Sequence, residues 1–198
     1  MTIQERAART RGLLVLAAAQ EIDRVGYEGA RLTRICQSAG VSMGALTFHF
    51  PSKGALADAV QEQGWSLARS LVDAVLTSVE PGLQAVVELT VRLAELLERD
   101  VVVRSAARLG GERQAGPEAW VRAWLPVVEE LLEQARRDGQ LRSGHEPETV
   151  TAMVTYLLAG AESQIRGGSP AAAGAVSVAG QLEEIWRLAL RGIAGPGA

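Results

Sequence analysis

The sequence predicts an all-α fold, made of a small N-terminal three-helix head and a larger C-terminal helical domain. Hydrophobic residues make up 47% of the 198 residues, whereas aromatic residues make up only 4%. Apolar side chains recur at helical spacing along most of the chain, and few runs show the alternation of a strand. A chain of this length suits a compact head and one larger domain. We place the boundary so that the domains are residues 1–54 and 55–198.

The first helix of the head is predicted to run from Arg9 to Val25 and to close at Gly26. Residues 1–7 precede it as a mobile arm. Its apolar side chains recur at helical spacing, so one face can cover the two shorter helices that follow. These side chains are Leu13, Leu14, Ala17, Ala18 and Ile22.

The stretch from Leu32 to Leu56 organises the head. Its first helix has four apolar side chains on one face, namely Leu32, Ile35, Cys36 and Ala39. Gly40 follows, at the point where a helix commonly ends in a left-handed residue. Ser42 then caps a second helix, Met43 to Phe48, because its hydroxyl oxygen can accept an orphan backbone N–H. Two helices joined by a short turn that contains glycine predict a helix-turn-helix, which reads DNA by laying its second helix in the major groove.

Charge is distributed unevenly along the chain. Residues 1–54 contain seven basic and four acidic side chains, a balance of +3, which leaves −6 for the remainder because the net charge is −3. A basic head on an acidic body indicates a protein that presents one end to phosphate. Ordinary scatter of surface charge is the alternative explanation.

Six helical segments are predicted beyond the reading motif. A long helix from Lys53 to Val79 begins in the head and continues into the larger domain, so it links the two. Pro126 lies inside the seventh helix and is expected to kink it, because proline removes one backbone hydrogen bond. A flexible link rich in glycine and alanine, residues 167–174, precedes the last helix. The segments after the long helix are Leu83–Asp100, Val101–Leu109, Pro117–Arg137, Pro147–Arg166 and Gly174–Ile193.

The last two helices are apolar over more than one face. A helix that is apolar nearly all round is buried, and two such helices at the end of a small chain indicate a partner. We expect a homodimer, in which two copies of this helix pair form a four-helix bundle.

Few residues are available for enzymatic chemistry. His49 and His145 are the only histidines and lie far apart, and the single cysteine, Cys36, falls on the apolar face of a helix. No zinc-ligand spacing, nucleophilic triad or phosphate-binding loop is present. We therefore predict no enzyme, no metal site and no cofactor. No apolar run reaches the ~20 residues that cross a bilayer and no signal peptide is recognisable, so we expect a cytoplasmic protein without a membrane partner.

The helix-turn-helix resembles the DNA-binding segment of TetR-type bacterial repressors. The run that carries the resemblance is GVSMGALTFHFPSKGAL, residues 40–56. Met43 stands where lysine is common in that family, and Thr47 stands where tyrosine is common. The resemblance implies an operator in double-stranded DNA as the partner. The positions that match are Gly40, Val41, Ser42, Gly44, Leu46, His49, Phe50, Ser52, Lys53 and Leu56.

The same resemblance implies which residues meet DNA. Met43 and Thr47 would contact base edges or methyl groups, while Gly44 and Ala45 would let the backbone approach the bases. The operator would consist of inverted half-sites, as dimer symmetry requires. Phosphate contacts are expected from Thr33, Ser42, His49 and Lys53.

The larger domain resembles the γ-butyrolactone receptors, which are TetR-type repressors that sense a small diffusible lactone and control antibiotic production. The similar stretches are VVELTVRLAELLERDVVVRSAARLGGE, WLPVVEELLEQARRDGQL and LEEIWRLALRGI. Trp124 matches a tryptophan of that family's ligand cavity. Apart from the family, an indole offers a flat apolar wall and one N–H donor, although core packing is an alternative role. The ligand-binding residues that we predict are Trp124, Trp120, Gln63, Leu93, Val128 and Ser163.

These features predict a repressor that binds a palindromic operator as a homodimer and leaves it when a small apolar signal, such as a γ-butyrolactone, binds. Two alternatives remain open. A pseudo-receptor of the same fold would sense an antibiotic or a biosynthetic intermediate. A helical partner protein that does not bind DNA would explain why Met43 and Thr47 replace the usual lysine and tyrosine.

Overall fold

The computed structural model describes residues 2–113, 118–167 and 176–195. The prediction of an all-α fold is confirmed, and in these ranges one isolated antiparallel bridge joins Leu141 to Ala194. No helix in the same ranges is both long and apolar enough to span a membrane. The helices are α1 (Ile3–Gly29), α2 (Leu32–Ala39), α3 (Met43–His49), α4 (Lys53–Ser78), α5 (Leu83–Arg99), α6 (Val101–Glu112), α7 (Glu118–Val121), α8 (Leu125–Arg137), α9 (Pro147–Arg166) and α10 (Val178–Ile193).

The chain forms two compact units. Unit 1 comprises Met1–Leu67 and Asp100–Trp120, and unit 2 comprises Ala68–Arg99 and Val121–Ala198. Unit 1 therefore contains α6 and the first part of α4 in addition to the three helices of the predicted head. The functional boundary after residue 54 stays a prediction.

The core of unit 1 forms where α1 packs against α2, α3 and α6. Polar contacts reinforce the pairing of α1 with α6. The buried hydroxyl of Ser105 donates to the carbonyl oxygen of Ala19 at 2.5 Å, and the guanidinium of Arg104 pairs with the Asp23 carboxylate at 3.1 Å. The core includes Leu14, Val15, Ala18, Ile22, Ile35, Cys36, Leu46, Phe50, Leu56, Val60, Val102 and Leu109.

The first helix begins earlier than predicted, so the expectation of a mobile arm over residues 1–7 is wrong from Ile3 onward. The Thr2 hydroxyl oxygen accepts the N–H of Glu5 at 3.2 Å, and the Glu5 carboxylate accepts the N–H of Thr2 at 2.8 Å. This reciprocal capping box satisfies two orphan donors at the helix start. At the other end, Gly26 has φ 77° and breaks the helix as predicted, but helical structure resumes as far as Gly29.

Unit 2 is organised around α5, which contacts α8, α9 and α10. The side-chain oxygen of Gln140 accepts the N–H of Leu83 at 2.8 Å and so satisfies a donor at the start of α5. The core side of α5 is formed by Leu83, Ala85, Val86, Leu89, Thr90, Val91, Leu93, Ala94 and Leu97.

The predicted seventh helix is wrong: the structure has two helices there, α7 and α8, separated by a turn at residues 122–124. Pro126 lies in the first turn of α8. Proline costs no intrahelical hydrogen bond at that position, so it starts a helix and does not kink one. Pro117, the predicted start, lies outside the described residues.

The last helix begins at Val178, after a non-helical Val176 and Ser177, and so later than predicted. Gly174, the predicted start, lies outside the described residues. The hydroxyl oxygen of Ser177 accepts the N–H of Gly180 at 3.0 Å and caps the helix there. Most of the predicted link, residues 168–174, lies outside the described residues.

Candidate functional site

The helix-turn-helix is built by α2, a three-residue turn and α3. Gly40 has φ 67° and ψ 31°, the left-handed conformation that glycine adopts at least cost. The N–H of Val41 donates to the Cys36 carbonyl oxygen at 3.1 Å, which closes the end of α2. The hydroxyl oxygen of Ser42 accepts the N–H of Ala45 at 3.1 Å and caps α3.

The reading helix α3 anchors itself through one buried side chain and exposes most of the others. Leu46 is buried in the core of unit 1. Met43 is 39% exposed and Phe48 is 82% exposed, and Thr47 is exposed as well. A Cβ built on Gly44 would meet no atom closer than 3.8 Å. No side chain therefore covers the α3 backbone at Gly44, which would allow this part of the helix to approach a base pair closely.

Three of the predicted phosphate ligands are Thr33 on α2, Ser42 at the N-cap of α3 and His49 at the last position of α3. Thr33 and Ser42 are exposed, and the side chain of Ser42 is already engaged in capping. His49 is half-buried between two aromatic rings, with its centroid 5.2 Å from Phe48 and 6.5 Å from Phe50.

Lys53, the fourth, is engaged within unit 1. Its ammonium donates to the carbonyl oxygen of Glu28 at 3.1 Å and lies 4.6 Å from the Tyr27 ring centroid. The guanidinium of Arg113 lies 5.0 Å from the same ring and pairs with Asp58 at 2.6 Å. An ammonium has three donors, so Lys53 could donate to a phosphate and keep its hydrogen bond to Glu28. That phosphate contact stays a prediction.

Phe48 was missed by the sequence reasoning. It follows the buried Leu46 by two positions, which on a helix turns it about 200° away from the core. An aromatic side chain at that position is therefore forced into solvent, at the end of the helix that would read DNA. Helical periodicity within the motif was the signal that could have found it.

Three of the predicted ligand-binding residues are buried in unit 2. Trp124 is 1% exposed and precedes α8 as its N-cap residue. Leu93 on α5 and Val128 on α8 are fully buried, and these two helices are in contact. The indole nitrogen of Trp124 is buried without a hydrogen-bond partner, as is that of Trp186 on α10. A buried unpaired donor costs about 1–3 kcal/mol, which an acceptor on a ligand would recover.

The other three residues are less informative. Gln63 and Ser163 are both exposed, which differs from the burial expected of side chains that line an enclosed cavity. Trp120 is buried in unit 1. The roles of all three in ligand binding stay predictions.

An open pocket of about 350 Å³ lies elsewhere in unit 2, and none of the six predicted residues lines it. We do not assign it to the ligand, because it is open to solvent and Gln140 is already engaged with α5. Its lining is Glu80, Pro81, Leu83, Gln84, Gln140, Leu190 and Ala194.

Reactive chemistry is not evident in the described part of the chain. No group of three His, Cys, Asp or Glu side chains there could hold a metal ion. Cys36 is buried, and burial raises the pKa of its thiol. A raised pKa disfavours the thiolate, which is the nucleophilic form.

A capped reading helix on a small helical core, joined to a larger helical unit, defines a regulator of the helix-turn-helix class. Residues 14–60 match the family described as "Bacterial regulatory proteins, tetR family". The chain is 31% identical, over 199 aligned residues, to the A-factor receptor protein of Streptomyces griseus, a match that covers 100% of this chain and 68% of that protein. The chain therefore belongs to the tetR family of bacterial regulatory proteins.

Solved structures place it more narrowly. A γ-butyrolactone receptor described as an ArpA-like protein superposes with a TM-score of 0.77 at 26% identity, over 96% of this chain and 90% of that chain. CprB from Streptomyces coelicolor, solved in complex with its biological operator sequence, gives a TM-score of 0.78 at 28% identity, over 96% and 91%. Both predicted resemblances, to TetR-type repressors and to γ-butyrolactone receptors, are confirmed. These relatives are regulators and receptors by name, and not enzymes.

Proposed function

We propose that this protein is a ligand-responsive transcriptional repressor, which binds a palindromic operator as a homodimer and leaves it when a small apolar ligand binds. The observation that carries the proposal is the built helix-turn-helix. Its turn has a left-handed Gly40 and a capping Ser42, and its second helix exposes Met43, Thr47 and Phe48. Similarity to the A-factor receptor protein along the whole chain, and to a γ-butyrolactone receptor over 96% of it, supports the ligand-responsive part.

DNA is bound by the basic end of the chain. Residues 1–54 have a charge of +3 and the remainder −6, so phosphate attracts this end selectively. Gly44 and Ala45 allow the backbone to approach the bases, and Met43 and Thr47 meet base edges. Thr33, Ser42, His49 and Lys53 bind phosphates and fix the register of α3.

The dimer forms through α9 and α10. Three large apolar side chains on these helices are exposed: Tyr156 by 76%, Ile185 by 40% and Leu188 by 66%. Helices α9 and α10 are in contact, and exposed apolar side chains on neighbouring helices favour burial against a second copy. A twofold dimer presents two reading helices in opposite orientations, so its operator is an inverted repeat.

The ligand is bound beside Trp124. A lactone combines an apolar tail with a carbonyl oxygen, and the buried indole N–H of Trp124 lacks an acceptor. Leu93 on α5 and Val128 on α8 supply apolar surface, and these two helices are in contact. The ligand releases DNA to the extent that it prefers the conformation that does not bind DNA, typically 1–3 kcal/mol of coupling.

A gel shift with the DNA upstream of its own gene tests the DNA-binding part. Affinity should fall linearly with salt on logarithmic axes, because phosphate contacts release counterions. Footprinting should protect an inverted repeat. Protection of a direct repeat would contradict the proposed dimer, and no binding at any salt concentration would favour the helical partner protein that does not bind DNA.

Replacement of Trp124 by phenylalanine tests the ligand-binding part, because it keeps an aromatic ring and removes the N–H. Trp124→Phe should bind the operator as the wild type does and should need up to about tenfold more lactone for release, the value of one hydrogen bond. Trp186→Phe is the matched control, since its N–H is likewise buried and unpaired. An equal response of both variants would contradict the role of Trp124. Release by an antibiotic and not by any lactone would identify a pseudo-receptor.

A further inference from the structure

The reading helix lacks the side chains that usually identify bases by hydrogen bonding. The seven residues of α3 are MGALTFH, with no Arg, Lys, Asn, Gln, Asp or Glu among them. Those six types read guanine, adenine and cytosine in the major groove, the first four through bidentate pairs. Direct readout by such pairs is therefore not available to α3.

The two polar side chains of α3 are also restrained. The hydroxyl of Thr47 donates to the carbonyl oxygen of Gly44 at 3.1 Å, so its only proton is already engaged. His49 is half-buried, and its ring packs edge to face against Phe48. Neither residue offers a free, extended donor to a base edge.

The exposed part of α3 is mainly apolar instead. Met43 and Phe48 are its large exposed side chains, and the exposed Thr47 adds a methyl group. This apolar surface belongs to the basic end of the chain, which directs it toward DNA and away from an apolar protein partner. The 5-methyl group of thymine is the apolar feature of the major groove.

We propose that α3 reads its half-site through thymine methyl groups, with Met43 and Phe48 as the specificity-determining residues. The inference rests on the proposed DNA-binding function and names the chemistry that the operator must present. Met43 and Phe48 each pack against a different methyl group and exclude water from it. Thymine is thereby preferred over cytosine, which lacks the methyl group.

Deoxyuridine removes the thymine methyl group and leaves base pairing intact, so it isolates this contact. A duplex operator would first be selected from a random pool by the full-length protein, and each thymine would then be replaced in turn. Loss of one methyl contact should weaken binding about fourfold, and loss of the symmetric pair about fourteenfold. Replacement of the same thymine by 5-methylcytosine should retain more affinity than replacement by cytosine.

Protein variants assign each methyl group to a side chain. Met43→Ala and Phe48→Ala should each abolish the deoxyuridine effect at one position and preserve it at the others. Both side chains are exposed, so truncation leaves the core intact. Leu76→Ala is the control, because Leu76 is 40% exposed, as Met43 is at 39%, and lies outside α3. It should keep the full deoxyuridine effect.

The possible negative results have different meanings. Failure to enrich any duplex would refute the proposed function itself. Enrichment of a specific duplex, followed by deoxyuridine scanning that changes affinity less than twofold at every thymine, would overturn the methyl readout and leave the DNA-binding function standing. A deoxyuridine effect that persists in both Met43→Ala and Phe48→Ala would also overturn it.

Discussion

Gly64 marks a close approach of α4 to α6 inside unit 1, and Gly64→Ala should destabilise the protein. A Cβ at this position would lie 2.4 Å from the Cβ of Ala106 and 3.2 Å from the carbonyl oxygen of Val102. Carbon atoms in contact prefer a separation of about 3.5–4.0 Å. The two helices would therefore have to move apart by roughly 1 Å, since no flexible side chain can turn aside.

Two effects of opposite sign determine how far Gly64→Ala changes the free energy of unfolding. Overpacking of a core costs about 1–3 kcal/mol, and the upper part of this range applies because backbone has to shift. Alanine in place of glycine returns up to about 1 kcal/mol through helix propensity. We expect a net loss of about 2 kcal/mol in the free energy of unfolding.

Urea denaturation at a fixed protein concentration measures this loss, because the stability of the proposed dimer would depend on concentration. Gly111→Ala provides the control, since Gly111 lies on α6 and a Cβ there would meet nothing within 4 Å. The control should be as stable as the wild type or slightly more stable. If Gly64→Ala were equally stable, the close approach of α4 to α6 would be refuted.

Three further predictions concern single side chains. Gly44→Ala should leave the thermal melt unchanged, because a Cβ there has room within the protein, but should weaken operator binding roughly tenfold in a gel shift by keeping α3 away from the bases; unchanged affinity would contradict that approach. Burial raises the pKa of Glu162 above its ordinary 4.5 although Arg166 lies 2.6 Å away. Its carboxyl thus binds a proton more tightly in the folded state, and its contribution to stability falls as the pH rises from 4.5 through the raised pKa. Glu162→Gln should remove this part of the pH dependence in circular-dichroism melts, and an identical pH profile would count against it. Asp100→Ala removes a cap that accepts two backbone N–H groups and should cost about 1 kcal/mol in urea denaturation, whereas Asp100→Asn should retain most of that stability.

The reading motif was predictable because its determinants are local. A helix end followed by Gly40 requires only the left-handed conformation that glycine supplies, and Ser42 finds its capping partner three residues later. The same local logic predicted α9, whose observed bounds are the predicted ones. Contacts between residues this close in the sequence can be predicted from the sequence alone.

The start of α8 was not predictable in this way. A proline inside an apolar periodic run fits either a kinked helix or the first turn of a new helix. The choice depends on the backbone of Trp124, whose φ of −133° and ψ of −27° end the preceding segment. Gly64 is a similar case. A side chain there is excluded by the close approach of α6, whose residues lie about 40 positions further along the sequence.

The candidate ligand site was predicted only in part, for a related reason. Family resemblance identified Trp124, and burial of its unpaired indole N–H agrees with a donor that awaits an acceptor. Gln63 and Ser163 are predicted only because they lie at positions that related receptors use for ligand polar groups, and both are exposed. Sequence spacing tells which face of a helix a residue occupies, but it does not tell what covers that face.

Lys53 shows how a motif residue can serve two purposes. Family resemblance implies a phosphate ligand, yet its ammonium also binds the Glu28 carbonyl oxygen and lies against the Tyr27 ring. Arg113, at the end of α6, lies against that ring as well and pairs with Asp58 on α4. The Tyr27 ring is therefore contacted both by Arg113 at the end of α6 and by Lys53 at the start of α4. Because unit 1 contains all of these groups, displacement of α6 would alter the contacts around the Tyr27 ring, and we expect it to change the reach of Lys53 toward the phosphate that we propose it binds.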